Sequence, residues 1–387
     1  MDRRKSGISR RAMLFAAGAS MALDTLIEPT RTGMITRAAT PYSAGLEQYA
    51  KRAELSEQAI VQRYVRTLWG RSGTLLGTLV WPSSLLDQSF VRWCYWWQAQ
   101  LLDCAVDAAY RARTPERIDR AAALAHGIRT RNLTGWTNRY YDDMAWLALA
   151  LERFDRLLGV RFGDALGDLR TALIHGFDPV VGAVPWRSGD AYYNTAAIGP
   201  TGIALARLGE LSRARQLADF LYTRLRDTDS CLIFDGVHEP GNRVNRTALT
   251  YCQGVAIGLE TELAVRTGEL VHHNRAAALV AATEHRLTNA GVITAAAAND
   301  SGLFMGILAR YLTEAALSLG NTTAAQIVHT SARAAWENRA EVHELPLFGM
   351  DWTRPVTPAQ NLSPDLSVQL SGWMLLEAAY QLTAAGL

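Results

Sequence analysis

Asn138-Arg139-Tyr140-Tyr141-Asp142-Asp143-Met144-Ala145-Trp146-Leu147-Ala148-Leu149-Ala150-Leu151 carries a long loop straight into an apolar helix, with two carboxylates at the junction. The same passage from loop to helix recurs on both sides of it. From about Glu47 onward Ala, Leu, Arg and Glu dominate, with apolar residues at helical spacing. This predicts twelve helices, near 46–70, 84–112, 115–127, 142–158, 163–177, 192–208, 210–226, 249–267, 270–289, 302–318, 321–338 and 364–384. Strand-like alternation is almost absent.

Short breaks separate some of these helices: Thr114-Pro115, Gly159-Val160, Leu208-Gly209 and Leu319-Gly320-Asn321. Short connections make antiparallel neighbours. The other breaks, 71–83, 128–141, 178–191, 227–248, 290–301 and 339–363, are long and rich in Gly, Pro, Asp, Asn and aromatics. Twelve helices taken as six hairpins close into an all-α, (α/α)6 toroid. The long loops then gather at one end, around the mouth of a central funnel, where loops on a rigid scaffold carry function. An open solenoid of helical pairs would show a fixed-period repeat, and none is visible, so the closed ring is expected. No composition break divides the body, and residues 45–387 read as one catalytic domain.

The chain has 387 residues, 49% apolar and 20% charged, a globular composition with a sizeable core. The net charge is +2, but residues 1–39 carry a net of +4, so the body is slightly acidic. A body without a strong basic field excludes a nucleic-acid binder. Lys occurs only at positions 5 and 51; every other cation is Arg, a composition bias rather than a functional signal.

A basic head, Arg3-Arg4-Lys5, precedes Ser9-Arg10-Arg11-Ala12-Met13-Leu14 and an apolar run from Ala12 to Leu23. This has the form of an export signal. It is shorter than the about 20 apolar residues of a spanning helix, so no stable membrane anchor is expected. Ser-Arg-Arg-x-apolar-Leu resembles the twin-arginine signal, which implies the twin-arginine export machinery as a partner and an extracellular or envelope location. Residues 1–39 are thus read as a signal, or else as a disordered tail. No clean small-x-small site follows Leu23; Arg37-Ala38-Ala39-Thr40 is a late candidate, and a start at Met34 would remove the signal.

Of the four cysteines, Cys94 and Cys104 lie ten apart in one expected helix, roughly 15 Å, too far for a disulfide. Cys231 and Cys252 either pair across a loop or stay as free thiols. There is no Gly-rich phosphate loop, GxSxG, HExxH or CxxC, and the His residues are scattered. No metal site and no cofactor are expected.

That leaves the paired aspartates. Asp is a preferred residue at a helix start, where the dipole favours anions. The same pair also suits glycoside hydrolysis. Retaining enzymes hold two carboxyl groups about 5–5.5 Å apart, one as nucleophile and one as acid/base. Two anions so close split their pKa values, leaving one ionised and one protonated. Tyr140, Tyr141 and Trp146 beside them offer flat faces for sugars, or core packing.

Tyr140-Tyr141-Asp142-Asp143-Met144-Ala145-Trp146 resembles the signature of glycoside hydrolase family 76, the α-1,6-mannanases. Trp96-Trp97-Gln98-Ala99 is similar to the family's Trp-Gln-Ala helix. Pro185-Trp186-Arg187 through Asn194-Thr195-Ala196 and Gly199-Pro200 resembles its Trp…Asn…Gly-Pro segment. Asp235-Gly236, Tyr251-Cys252-Gln253-Gly254 and Phe304-Met305-Gly306-Ile307 with Arg310-Tyr311 continue the match in order, over roughly residues 60 to 315. The resemblance implies an (α/α)6 toroid, retaining endo-hydrolysis of α-1,6-linked mannan or a related mannose-containing glycan, Asp142 as nucleophile and Asp143 as acid/base. Tyr140, Tyr141, Trp96, Trp97, Gln98, Trp186, Asn194, Asp235 and Gln253 are the candidate sugar-binding residues. Asn194 and Gln253 would hydrogen-bond sugar hydroxyls or cap their own helices; Asp235 would contact a hydroxyl or close an Asx turn. Cys252 stands where the family usually has Asn, and Met305 where it usually has Lys. Mannan transglycosylation and a catalytically inactive glycan-binding envelope protein are the alternative functions.

Overall fold

The computed structural model describes residues 41–294, 302–357 and 364–387. The expected export signal lies outside these residues. The helices are α1 (Pro41–Arg63), α2 (Leu85–Gln88, a single turn), α3 (Tyr95–Arg111), α4 (Pro115–Arg131), α5 (Tyr141–Leu158), α6 (Ala165–His175), α7 (Thr195–Arg207), α8 (Leu211–Phe220), α9 (Thr250–Thr267), α10 (Leu270–Leu287), α11 (Phe304–Leu319), α12 (Thr322–Glu337) and α13 (Leu366–Ala384).

Local chemistry sets many of the ends. Thr114 caps α4 by accepting from the Arg117 N–H, and Pro115 follows at the first helical position, where its missing N–H costs nothing. Asn194, Asn321 and Asp365 cap α7, α12 and α13 in the same way. The inner helices α5, α9 and α11 stop at Gly159, Gly268 and Gly320, each with left-handed φ of 73°, 72° and 68°.

Packing resolves the helices into two rings. α3 packs on α5, α5 on α7, α7 on α9, α9 on α11, α11 on α13, and α13 back on α3, so the inner ring closes. The outer helices seat against it: α1 on α13 and α3, α4 on α3, α6 on α5, α8 on α7 and α9, α10 on α9, α12 on α11 and α13. This is the (α/α)6 toroid. Where two inner helices come closest, glycine permits it: a Cβ at Gly258 of α9 would lie 2.3 Å from the Tyr311 ring of α11. The region Thr40–Leu387 is one compact unit. Among the described residues no helix is long and apolar enough to cross a membrane.

Every inner-to-outer connection is short, and every outer-to-inner connection is long. The inner helices therefore run parallel, and the long loops meet at their N-terminal ends. These loops hold what the sequence did not show. Small antiparallel pairings occur at Val65–Thr67 with Leu75–Gly77, Thr288–Asn289 with Val292–Ile293, and Ala340–Val342 with Leu345–Leu347. Tyr192–Asn194, Gly236–His238 and Arg243–Asn245 form a three-stranded sheet. Strands of two or three residues are too short to display an alternation.

Several expected helices differ from those observed; that expected over 192–208 begins at Thr195, after the strand Tyr192–Asn194, and that over 115–127 runs on to Arg131. That expected over 46–70 stops at Arg63, where the chain enters the first hairpin. That expected over 84–112 breaks between Gln88 and Tyr95, because Phe90 takes φ of 54°, which no right-handed helix accommodates. The helix expected over 210–226 finishes as a π turn, Leu221–Leu225. Cys231 and Cys252 stay as thiols and do not pair.

Candidate active site

The N-terminal ends of five inner helices surround a cavity of about 360 Å³. Trp93 and the α3 start supply Cys94, Tyr95 and Trp96. The α5 start supplies Tyr140, Asp142, Asp143 and Trp146. Asn194 and Ala196 come from α7, Tyr251 from α9, Phe304 and Ile307 from α11, and Trp186 from the loop before α7. Parallel helices aim their positive ends at this floor, which favours negative charge there.

Asp142 and Asp143 occupy the first turn of α5. One carboxylate oxygen of Asp142 accepts the Asp143 N–H at 2.9 Å, and the other accepts the Trp186 indole N–H at 3.1 Å. Asp143 accepts from the Asn138 side-chain amide at 2.7 Å, and Asn138 in turn accepts the Tyr140 N–H at 2.8 Å. The loop before α5 is pinned to the loop before α7: the Tyr141 N–H donates to the Trp186 carbonyl at 3.0 Å, and the Tyr140 and Trp186 rings meet edge to face, centroids 5.3 Å apart. Burial, and next the charge of Asp142, push the Asp143 carboxyl up to about 8. The Asn138 amide and the Trp96 N–H, which favour the ionised form, act in the opposite direction. Asp143 is thus a carboxylic acid at neutral pH beside a carboxylate partner.

Of the sequence candidates, Trp96, Tyr140, Trp186 and Asn194 line this cavity with the two aspartates. Asn194 also caps α7, accepting the Ala197 N–H at 3.1 Å. Five others lie elsewhere. Gln98 is buried, and its amide accepts the Gly77 N–H at 2.8 Å and donates to the Gly77 carbonyl at 2.9 Å. Gln253 clamps Ile233 in the same manner and donates to Leu249 as well. Both amides are engaged with backbone, not with the cavity. Trp97 is buried in the core beside Trp96. Tyr141 turns away and packs on Gly176, at the end of α6. Asp235 has one oxygen bonded by the Tyr251 hydroxyl at 2.6 Å, the other by the Tyr192 hydroxyl and the Asn245 amide. Its carboxylate therefore fixes Tyr251, which does face the cavity, rather than facing it itself.

Asn138, Tyr95, Cys94, Tyr251, Phe304 and Ile307 join the site without having been named as sugar-binding candidates, although Tyr251, Phe304 and Ile307 fall in the family-like segments. Their shared signal is position: all but Asn138 fall at the start of an inner helix. The two departures from the family pattern, Cys252 and Met305, are buried outside the cavity lining. Among the described residues no group of three His, Cys, Asp or Glu has the arrangement to hold a metal ion.

An (α/α)6 toroid whose funnel floor holds a carboxylic acid beside a carboxylate, ringed by Trp and Tyr, defines a glycoside hydrolase. The chain belongs to glycosyl hydrolase family 76, whose family model matches residues 181–383. Solved structures agree. The Lin0763 protein from Listeria innocua is 25% identical with a TM-score of 0.78, covering 87% of this chain and 98% of that one. An inactive variant of the GH76A α-1,6-mannanase of Salegentibacter sp. HEL1_6, with two adjacent aspartates changed to asparagine and α-1,6-mannotriose bound, is 25% identical with a TM-score of 0.76, covering 86% and 99%. The family 76 mannosidase Bt3792 from Bacteroides thetaiotaomicron shares the fold at 16% identity, TM-score 0.72, covering 88% and 100%. No curated protein matches the chain.

Proposed function

We propose that the protein is a retaining, endo-acting α-1,6-mannanase in which Asp142 is the nucleophile and Asp143 the acid/base. The observation that carries this reading is the pairing at the α5 start. Asp142 is held as an anion by two N–H donors and the helix end, and Asp143 beside it keeps its proton to about pH 8. The inactive Salegentibacter variant, altered at two adjacent aspartates and binding α-1,6-mannotriose, supports both the residues and the substrate class.

In the first step a carboxylate oxygen of Asp142 attacks the anomeric carbon. The bond from that carbon to the bridging oxygen breaks, and the Asp143 proton passes to the leaving oxygen. The enzyme now carries a glycosyl ester on Asp142 and a carboxylate on Asp143. Esterification removes the Asp142 charge, which had helped to hold the proton on Asp143. The Asp143 pKa falls accordingly, and the residue changes from acid to base. Water attacks the anomeric carbon, Asp143 takes its proton, and Asp142 leaves. Two inversions give net retention. Trp96, Tyr140 and Trp186 present apolar faces to the sugar rings, and Asn194 a polar group to their hydroxyls.

Incubation with linear α-1,6-mannan tests the reading, with the anomeric configuration of the first product followed by NMR. The α anomer is expected first, and Asp142→Asn and Asp143→Asn should each lose at least about 10³-fold in kcat. Near-normal activity in either variant, or a β first product, refutes it. Chains longer than the input with added acceptor would show a sugar hydroxyl, not water, taking the second step.

A further inference from the structure

We infer that Trp69 forms an outer sugar-binding platform, taking a residue of the mannan chain beyond those held in the cavity. The inference rests on the α-1,6-mannan reading above and extends it to the rim. The cavity, about 360 Å³, is at the small end of ligand pockets (~300–1,000 Å³) and encloses only a few sugar rings, so most of a polymer lies outside it.

Trp69 is 56% exposed, whereas every other Trp among the described residues is buried or half-buried. It is also immobilised. Its indole N–H donates to the Ser89 carbonyl at 2.7 Å, and the Arg131 guanidinium lies 6.0 Å from its ring centroid. The same guanidinium lies 5.0 Å from the ring of Trp93, which lines the cavity. Arg131 is fixed in turn, donating to the carbonyls of Phe90 at 2.7 Å and Val91 at 3.0 Å. Two indoles joined by one guanidinium therefore lead from the cavity wall to solvent, with centroids no more than about 11 Å apart. A flat, rigid, amphipathic ring loses little freedom on binding, and its face matches the C–H face of a pyranose. The backbone of Trp69 is left-handed, φ 49° and ψ 31°, a costly conformation for a bulky residue and of a kind that gathers at binding sites.

That conformation also supplies a safe variant. Glycine suits φ of 49°, so Trp69→Gly removes the ring while relieving the backbone. On long linear α-1,6-mannan this variant should show KM raised about five-fold with kcat unchanged. Its kcat/KM on α-1,6-mannotriose should equal that of the unaltered enzyme, which also reports intact folding. Trp69→Tyr, retaining a ring, should recover most of the polymer KM. Equal loss on polymer and trisaccharide, or no loss on the polymer, overturns the platform. An unaltered enzyme that cleaves no α-1,6-mannan overturns the functional reading itself, and the platform with it.

Discussion

At the scale of single residues, the site depends on how one carboxyl keeps a proton. Asp143 must be protonated for the first step, so kcat/KM should be level through neutral pH and fall as pH rises through about 8. Asn138 tunes this limb. Its amide donates to the Asp143 carboxylate and so favours the ionised form. Asn138→Ala removes that preference, raises the Asp143 pKa further, and should move the alkaline limb up by about one pH unit, since a charge-assisted hydrogen bond is worth roughly 1.5–3 kcal/mol. With an orienting partner lost, kcat should also fall about ten-fold. The pH–rate profile decides: a lower kcat with an unmoved limb would make Asn138 a purely structural residue. The Asp pair was legible in the sequence because two adjacent carboxylates before an apolar helix are conspicuous. Asn138 was not, because its role depends on a side-chain hydrogen bond that spacing does not reveal.

At the scale of elements, the long loops are tied to the inner helices by buried glutamines. Gln98, Gln253 and Gln369 each occupy the fourth position of an inner helix, and each both accepts from and donates to the backbone of one loop residue, respectively Gly77, Ile233 and Phe348. Such a clamp substitutes for a strand partner and fixes the height of the loop above the helix end. Gln253→Leu would leave the Ile233 N–H and C=O buried without these partners, and should cost about 2–4 kcal/mol. A urea unfolding midpoint measures this. The kcat of the protein that remains folded should stay near normal, because Gln253 lies outside the cavity. The expectation that Gln98 and Gln253 bind sugar fails for a physical reason: an amide beside aromatic motif residues looks alike in sequence whether it faces a ligand or a backbone.

At the scale of the whole molecule, the ring is closed beneath the site by buried ion pairs. Arg153 of α5 bonds Asp103 and Asp107 of α3, and Arg310 of α11 reaches the same two aspartates at 3.3 Å and 2.8 Å. Arg207 of α7 is bonded by Glu262 of α9 at 2.6 Å and Glu314 of α11 at 2.9 Å, and Glu377 of α13 is bonded by Arg111 of α3 at 3.0 Å. All six inner helices thus contribute to three ion-pair clusters inside the ring. Burial alone would raise the Asp107 pKa, but Arg153 and Arg310 outweigh it and hold the carboxyl below its usual value. A lowered folded pKa contributes stability above the unfolded value, and that stability is lost as pH falls through the folded one. Arg153→Met should therefore destabilise the protein at neutral pH by about 3–5 kcal/mol, because it leaves buried aspartates short of a partner. The loss should shrink in acid, as the Asp107 carboxylate becomes neutral. Melting temperatures of both proteins across pH 3–8 check the sign, and an equal loss at every pH would contradict it.

The sequence by itself determined the helices, their alternation of short and long connections, the ring those connections imply and the aspartate pair at its mouth. Each of these follows from local chemistry: apolar spacing, capping residues and helix-ending glycines act within a few residues. Only the tertiary structure decided which aromatic and amide side chains reach the cavity. Tyr141 and Trp97 adjoin lining residues yet face elsewhere, and Asp235 holds a tyrosine instead of a sugar. The charges within the inner helices likewise acquire their meaning only when six distant segments meet. Orientation around a helix end depends on what packs against it, and in a closed ring that is contributed by residues far away in the chain.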